Sequence, residues 1–269
     1  MSTKATQPVS MTRIEARTAE VRTDLLATEE PLEIRVGGRS VAVVMRTPGH
    51  DRELAAGFLV TEGIVRRREE VLDLVRCTGE SGEPEENILD AVLAPGATVD
   101  LERLTRHVFT SSSCGICSKA SIDAVRGRFD PIAEEFSPRR EVLVALPDRL
   151  RAAQAGFAAT GGLHASALFD ADGNLAVVRE DVGRHNALDK VVGHAFFAER
   201  LPLAGQILLV SGRVSFEIMQ KALAAGIPCV AAISAPTSAA VAFAAESGQT
   251  LVGFLRGERM NVYAGTLAG

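Results

Sequence analysis

The sequence predicts an α/β protein: a larger C-terminal domain on a buried, partly parallel sheet, preceded by a smaller α+β region. Three observations carry this. From Glu141 onward, short apolar runs alternate with helical stretches of roughly 10–15 residues, the rhythm of crossover connections. Before that point the runs alternate in polarity residue by residue, as in half-exposed antiparallel strands. Hydrophobic residues make up 46% of the 269, ample for a core, but only 4% are aromatic and none is Trp, so Ala, Val and Leu must fill it.

Residues 1–29 are polar and charged, lack the apolar stretch of a signal peptide, and are read as a disordered tail. Residues 30–110 form the small α+β domain. Within it, Leu32–Val36 and Val41–Arg46 flank Gly37-Gly38 as a hairpin. Asp51–Val65 has Leu54, Phe58 and Leu59 at helical spacing, and Val71–Arg76 and Asn87–Leu93 are short strands. Residues 111–140 are the CxxC loop and a connecting helix, and 141–269 the larger domain. There Pro147 is expected to open a helix to about Ala159, and His164–Asp170 and Asn174–Arg179 to pair around Asp172-Gly173. Helices follow at about His185–Glu199, Val214–Ala225 and Pro236–Ser247. Strands are expected at Gln206–Val210, Pro228–Ser234 and Thr250–Leu255.

The formal net charge of −5 argues against non-specific binding to nucleic acid or an anionic membrane. Leu223–Ala245 is very apolar, but Gly226, Pro228 and Pro236 interrupt it, which suits a buried strand between helices better than a membrane span. Four cysteines do not make a secreted disulfide framework, so a cytoplasmic location is expected.

Cys114-Gly-Ile-Cys117 is the most informative motif. It lies in a serine-rich run, with Lys119 beside it and Ala120–Phe129 readable as the start of a helix. Helix dipole and cation both favour thiolate, the form that attacks sulfur or binds metal. Four readings stay open. The pair can be buried and inert. A thioredoxin-like redox pair wants a Trp-Cys lead, and there is no Trp. A zinc site needs two further ligands; Cys77, Cys229, His107 and His164 exist, but no second CxxC or paired His. A persulfide carrier needs one accessible thiolate and a helper thiol, and CxxC supplies both.

Other segments carry polar chemistry at strand ends. Ser211-Gly-Arg213 and Ala235-Pro-Thr-Ser238 each lie between a strand and a helix, where α/β sheets bind anions or simply turn. Phe254–Asn261 follows the last strand with two Arg and a Gly, either an anion contact or a solvated tail. Arg179–Asn186 packs six polar or charged residues ahead of an apolar helix, as a capping loop or as a site wall. His185 alone reads as structural, and His50 and His194 give no signal.

Six ordered segments resemble the formate dehydrogenase accessory sulfurtransferase family, FdhD: Ser112–Asp123, Thr160–Ala165, Arg179–Lys190, Ser211–Glu217, Ser234–Ser238 and Phe254–Asn261. The resemblance spans roughly residues 30 to 265. It implies a sulfur carrier that takes persulfide sulfur from a cysteine desulfurase. The sulfur then passes to the molybdenum (or tungsten) bis-guanine dinucleotide cofactor needed by formate dehydrogenase. Cys114 would be the persulfide cysteine and Cys117 its helper. Phe254, Leu255, Arg256, Gly257, Glu258 and Arg259 would contact the cofactor's guanine nucleotide, for which GDP is an analogue. The resemblance also implies a homodimer and a larger domain similar to the cytidine deaminase fold. Deaminase chemistry itself is not expected: His164-Ala-Ser166 lacks the required Glu, and CxxC lies upstream of it instead of downstream. The alternative is a zinc-binding or thiol–disulfide redox protein using the same pair.

Overall fold

The computed structural model describes residues 5–78, 83–97 and 129–269; Cys114, Cys117 and Lys119 lie outside the described residues. The chain runs β1 (Thr6–Glu15), β2 (Thr18–Ala27), β3 (Glu30–Val36), β4 (Arg39–Arg46), α1 (Asp51–Thr61), β5 (Val71–Thr78) and β6 (Pro84–Leu93). It continues with α2 (Arg140–Ala153), α3 (Ala155–Thr160), β7 (His164–Phe169), β8 (Leu175–Asp181) and α4 (Arg184–Phe197). It closes with β9 (Ile207–Val210), α5 (Phe216–Ala224), β10 (Cys229–Ala232), α6 (Ser238–Ser247), β11 (Thr250–Arg256) and β12 (Arg259–Ala264).

The larger sheet has six strands in the order β12-β11-β10-β9-β7-β8. Strands β9, β10 and β11 are mutually parallel, while β7 runs antiparallel to both β8 and β9. Helix α2 covers one face, placing Leu143, Leu146 and Leu150 against Phe169, Leu209 and Val252. Helices α4, α5 and α6 cover the other, giving three layers, and α4 in turn packs on α1. Beyond α1 lies a four-stranded sheet, β4-β3-β6-β5, whose buried Leu32, Ile34, Leu74 and Leu89 join the same apolar cluster.

The α1–α4 contact is close because two glycines meet backbone. A Cβ on Gly57 would fall 1.7 Å from the Asp189 carbonyl oxygen, and one on Gly193 would fall 1.8 Å from that of Glu53. The helices therefore touch main chain to main chain, without the usual layer of side chains between them.

Three expectations are corrected. Residues 6–27, read as disordered, form a fully paired antiparallel ribbon, β1–β2. Alternating Thr, Val and Ile on a polar background suits a strand exposed on both sides, and composition alone cannot tell such a strand from a tail. The helix expected to open at Pro147 begins instead at Arg140 with Pro147 inside it. The stripe of Val142, Leu143, Leu146 and Leu150 is buried, and that burial outweighs the hydrogen bond proline cannot donate. Phe254–Asn261, read as a segment beyond the last strand, spans the end of β11, a turn at Gly257-Glu258 and the start of β12, which pairs back onto β11.

Candidate functional site

Because β9, β10 and β11 are parallel, their C-terminal ends share one edge, and each is followed by a loop carrying sequence-predicted residues. Strand β7 runs the other way, so its first residue, His164, comes to the same edge, paired with Asp181 at the end of β8. Helices α4, α5 and α6 all begin there, bringing the positive ends of their dipoles to this edge.

The loops are locked to one another through backbone. Ser211 N donates to Ala165 O at 2.9 Å, and Ala165 N donates to Ser211 Oγ at 2.9 Å. Val214 N donates to Ala235 O at 3.1 Å, and Thr237 N returns to Val214 O at 2.9 Å. Phe254 N donates to Ser234 O at 3.1 Å, tying the third loop to the second. Thr237 caps α6, accepting from Ala240 N at 3.2 Å.

Glycine allows close approach at two of these contacts. A Cβ on Gly212 would lie 3.2 Å from His164 Nδ1, and one on Gly253 would lie 2.8 Å from Pro236 Cδ. Past Gly253 the β11–β12 register shifts, and Phe254 takes a positive φ of 53°. Such a bulge re-aims a side chain at a sheet edge; here the Phe254 ring is 40% exposed.

The predicted residues divide sharply. Leu255 is fully buried against α2, so only its backbone is available to a ligand. Arg256, Gly257, Glu258 and Arg259 are exposed in the turn. Arg213 is exposed in the first loop, and among the described residues none of Arg213, Arg256 and Arg259 enters an ion pair. Cations left unpaired beside three helix N-termini suit a polyanionic ligand.

Other edge residues were read differently from the sequence: His164 as a possible zinc ligand and His185 as structural. Burial and the nearby Arg184 push the His164 imidazole below its usual pKa, which keeps it neutral near pH 7. His185 Nε2 lies 3.2 Å from Glu217 Oε2, and Ser215 Oγ donates to the same oxygen at 3.2 Å. The His185 contact is the main reason the Glu217 carboxyl falls to about 2. The sequence signal for this group was its place in three of the family-like segments, Thr160–Ala165, Arg179–Lys190 and Ser211–Glu217.

The dense Arg179–Lys190 segment is mostly consumed by the fold. Lys190 Nζ sits 2.6 Å from Asp181 Oδ2, with both side chains almost wholly buried. Asp181 also accepts from Thr47 N at 3.1 Å and Gly183 N at 2.8 Å, and Asn186 donates to Met45 O at 2.7 Å. Arg179 forks onto Glu53, with Nη2 2.7 Å from Oε1, and His194 Nδ1 lies 3.2 Å from the same oxygen. These bonds clamp the small sheet and α1 to the larger domain. Only Arg184 and His185 of this segment face the edge described above.

Of the zinc candidates, Cys229 is buried in the α2 core, and burial pushes its thiol up to about 12. No group of three or more His, Cys, Asp or Glu among the described residues is arranged to hold a metal ion. No helix among them is long and apolar enough to cross a membrane.

The FdhD/NarQ family model matches residues 27–267. The chain belongs to the FdhD/NarQ family. It is 54% identical over 257 residues to the sulfur carrier protein FdhD of Mycolicibacterium paratuberculosis, covering 94% of each chain. It is 53% identical over 267 residues to that of Streptomyces avermitilis, covering 97% of this chain and 95% of the other. A crystal structure from Desulfotalea psychrophila, provisionally described as a formate dehydrogenase accessory protein, superposes with a TM-score of 0.74 at 24% identity over 96% of both chains. That likeness carries the α/β fold across the length of the chain.

Proposed function

We propose that this protein is a sulfur carrier that supports formate dehydrogenase by delivering sulfur to its molybdenum or tungsten bis-guanine dinucleotide cofactor. The observation that carries the reading is family membership at more than half identity to sulfur carrier proteins. The edge with three arginines that form no ion pair among the described residues and three helix N-termini supports it, because the proposed substrate is polyanionic and the chain is not basic overall.

In this reading the Cys114 thiolate attacks the outer sulfur of a cysteine desulfurase persulfide. A new S–S bond forms on Cys114, and the desulfurase thiolate leaves. At the acceptor, the Cys117 thiolate attacks Sγ of Cys114, expelling the terminal sulfur as hydrosulfide to the metal of the substrate cofactor. The Cys114–Cys117 disulfide left behind is returned to two thiols by a thiol reductant, which makes the cytoplasm the fitting compartment. The cofactor's guanine nucleotide is assigned to Phe254, the Leu255 backbone and Arg256–Arg259, with Arg213 on the neighbouring loop meeting phosphate. GDP serves as its analogue.

The test is intact-protein mass spectrometry after incubation with a cysteine desulfurase and cysteine. Wild type should gain one sulfur atom, and Cys114→Ala should not. A Cys114→Ala protein that still loads sulfur fully would remove Cys114 from the role. The absence of any adduct on wild type, with one zinc bound per chain, would turn the CxxC pair over to metal binding.

A further inference from the structure

The group around Glu217 is held more firmly than an exposed carboxylate needs to be. Glu217 stands in the first turn of α5, and His185 is the second residue of α4. His185 Nε2 and Ser215 Oγ both reach one of its oxygens, Oε2, at 3.2 Å. Ser215 directly precedes α5, where a hydroxyl ordinarily caps the helix, yet it makes no cap bond and donates to Glu217 instead. One turn further along both helices the pairing is repeated inside the protein: Lys221 Nζ lies 2.9 Å from Asp189 Oδ2 and 3.0 Å from Oδ1. Residues 185 and 189 share a face of α4, and 217 and 221 a face of α5. The buried pair sets α5 against α4 and so keeps the outer pair in register.

The result is a carboxylate fixed by one oxygen and open at the other. Glu217 Oε1 accepts no hydrogen bond among the described residues, and the side chain is 54% exposed. Its pKa of about 2, set chiefly by His185, keeps it ionised throughout the neutral range. An ionised carboxylate only accepts hydrogen bonds. It therefore repels the phosphates that the neighbouring arginines suit, and its match on a ligand is a pair of N–H donors.

The order of the strands decides which donors come within reach. The edge runs β11, β10, β9, β7, roughly 14 Å at about 4.8 Å per strand. Phe254 and Arg256 belong to the β11 end and Arg213 to the loop after β9. Gly212 brings His164 of β7 and Arg184 of α4 against that loop, and Glu217 is bonded to the residue after Arg184. Glu217 thus lies on the β7 side of Arg213, away from Phe254. With guanine at Phe254 and phosphate at Arg213, the unit beyond Arg213 is the one that the dinucleotide joins to guanosine through its diphosphate, a pterin. Its 2-amino-4-oxo ring carries an N–H beside an amino group, and the two lone pairs of Oε1 can take both.

We propose that Glu217, held by His185 and Ser215, recognises the 2-amino-4-oxo edge of the pterin of the substrate cofactor. The inference rests on the nucleotide site proposed above. Guanine presents the same two donors, but its contact is assigned to the opposite end of the edge.

Fluorescence titration of the full chain with 6-hydroxymethylpterin, in the presence of GDP, tests this. The control ligand is 6-hydroxymethyllumazine, which has an oxo group in place of the 2-amino group, and the variant is Glu217→Gln, an exposed position where folding should be unaffected. Wild type should bind the pterin at least about tenfold more tightly than the lumazine, the equivalent of one hydrogen bond to a charged group. Glu217→Gln should lose that preference, while its GDP affinity by calorimetry stays as in wild type. A wild type that binds the two pteridines equally or binds neither, or a Glu217→Gln protein that keeps the preference, would overturn the proposal. Pterin displaced by GDP, with Glu217→Gln weakening GDP instead, would assign the carboxylate to guanine and overturn the pterin subsite. GDP that fails to bind wild type while the pterin preference holds would remove the nucleotide site proposed above and leave the role of Glu217 standing.

Discussion

Two polar segments of similar composition meet opposite fates. Arg179–Lys190 and the turn at Arg256–Arg259 are both rich in arginine and carboxylate, and both begin at the end of a strand. In the first, the charges are buried and paired: Asp181 with Lys190, and Arg179 with Glu53. In the second, Arg256 and Arg259 stand in solvent without ion pairs among the described residues. Charge that the fold satisfies holds domains together; charge that it leaves open is available to a ligand. Mutations in the first segment should therefore cost stability, and in the second affinity.

The largest effect is expected for Asp181→Ala. It strands Lys190 in the interior, and breaking a buried pair on one side costs about 3–5 kcal/mol. Urea denaturation should show a midpoint shift of that size. A loss under ~1 kcal/mol would mean the segment is not the clamp described. Next comes Gly193→Ala, which pushes a methyl into the Glu53 carbonyl and should cost about 1–3 kcal/mol by the same assay. Unchanged stability there would mean that α1 and α4 separate without penalty.

A smaller, pH-dependent effect belongs to Glu53. Burial works against its ionised form, but Arg179 and His194 outweigh burial and hold its pKa below 4.5. A lowered carboxylate pKa gives stability that is fully present above about pH 4.5 and is lost as pH falls through the folded value. The stability gap between wild type and Glu53→Gln should be constant near neutrality and close in acid. A gap that widened in acid would contradict the pairing.

The smallest effect on folding, and the sharpest on binding, is expected at the open turn. Arg256→Ala and Arg259→Ala should each change stability by less than ~0.5 kcal/mol, as exposed substitutions do. Each should weaken GDP binding about tenfold by calorimetry, the equivalent of one charge-assisted contact. Equal GDP affinity in wild type and both variants would remove the turn from the nucleotide site.

The sequence by itself determined the secondary-structure rhythm and the family. Periodicity located the β3–β4 and β7–β8 hairpins and the alternating strands and helices, because local hydrogen bonding and one-sided burial leave a short-range pattern. Six motif segments pointed to the family that the full-length match establishes. The sequence named Arg256 and Arg259, but not the hairpin that carries them: β12 holds a single glycine-containing turn away from β11, and its residues are too exposed to show a clear period. It offered His164 only as a possible zinc ligand, since only the antiparallel course of β7 brings that residue beside Gly212. Nor could it separate Arg179–Lys190 from a binding loop. Whether a charge is paired depends on partners 126 to 143 residues away, such as Glu53 and Thr47. Those distances close only when the two sheets pack around α1 and α4, so burial, pairing and availability were decided by the tertiary structure.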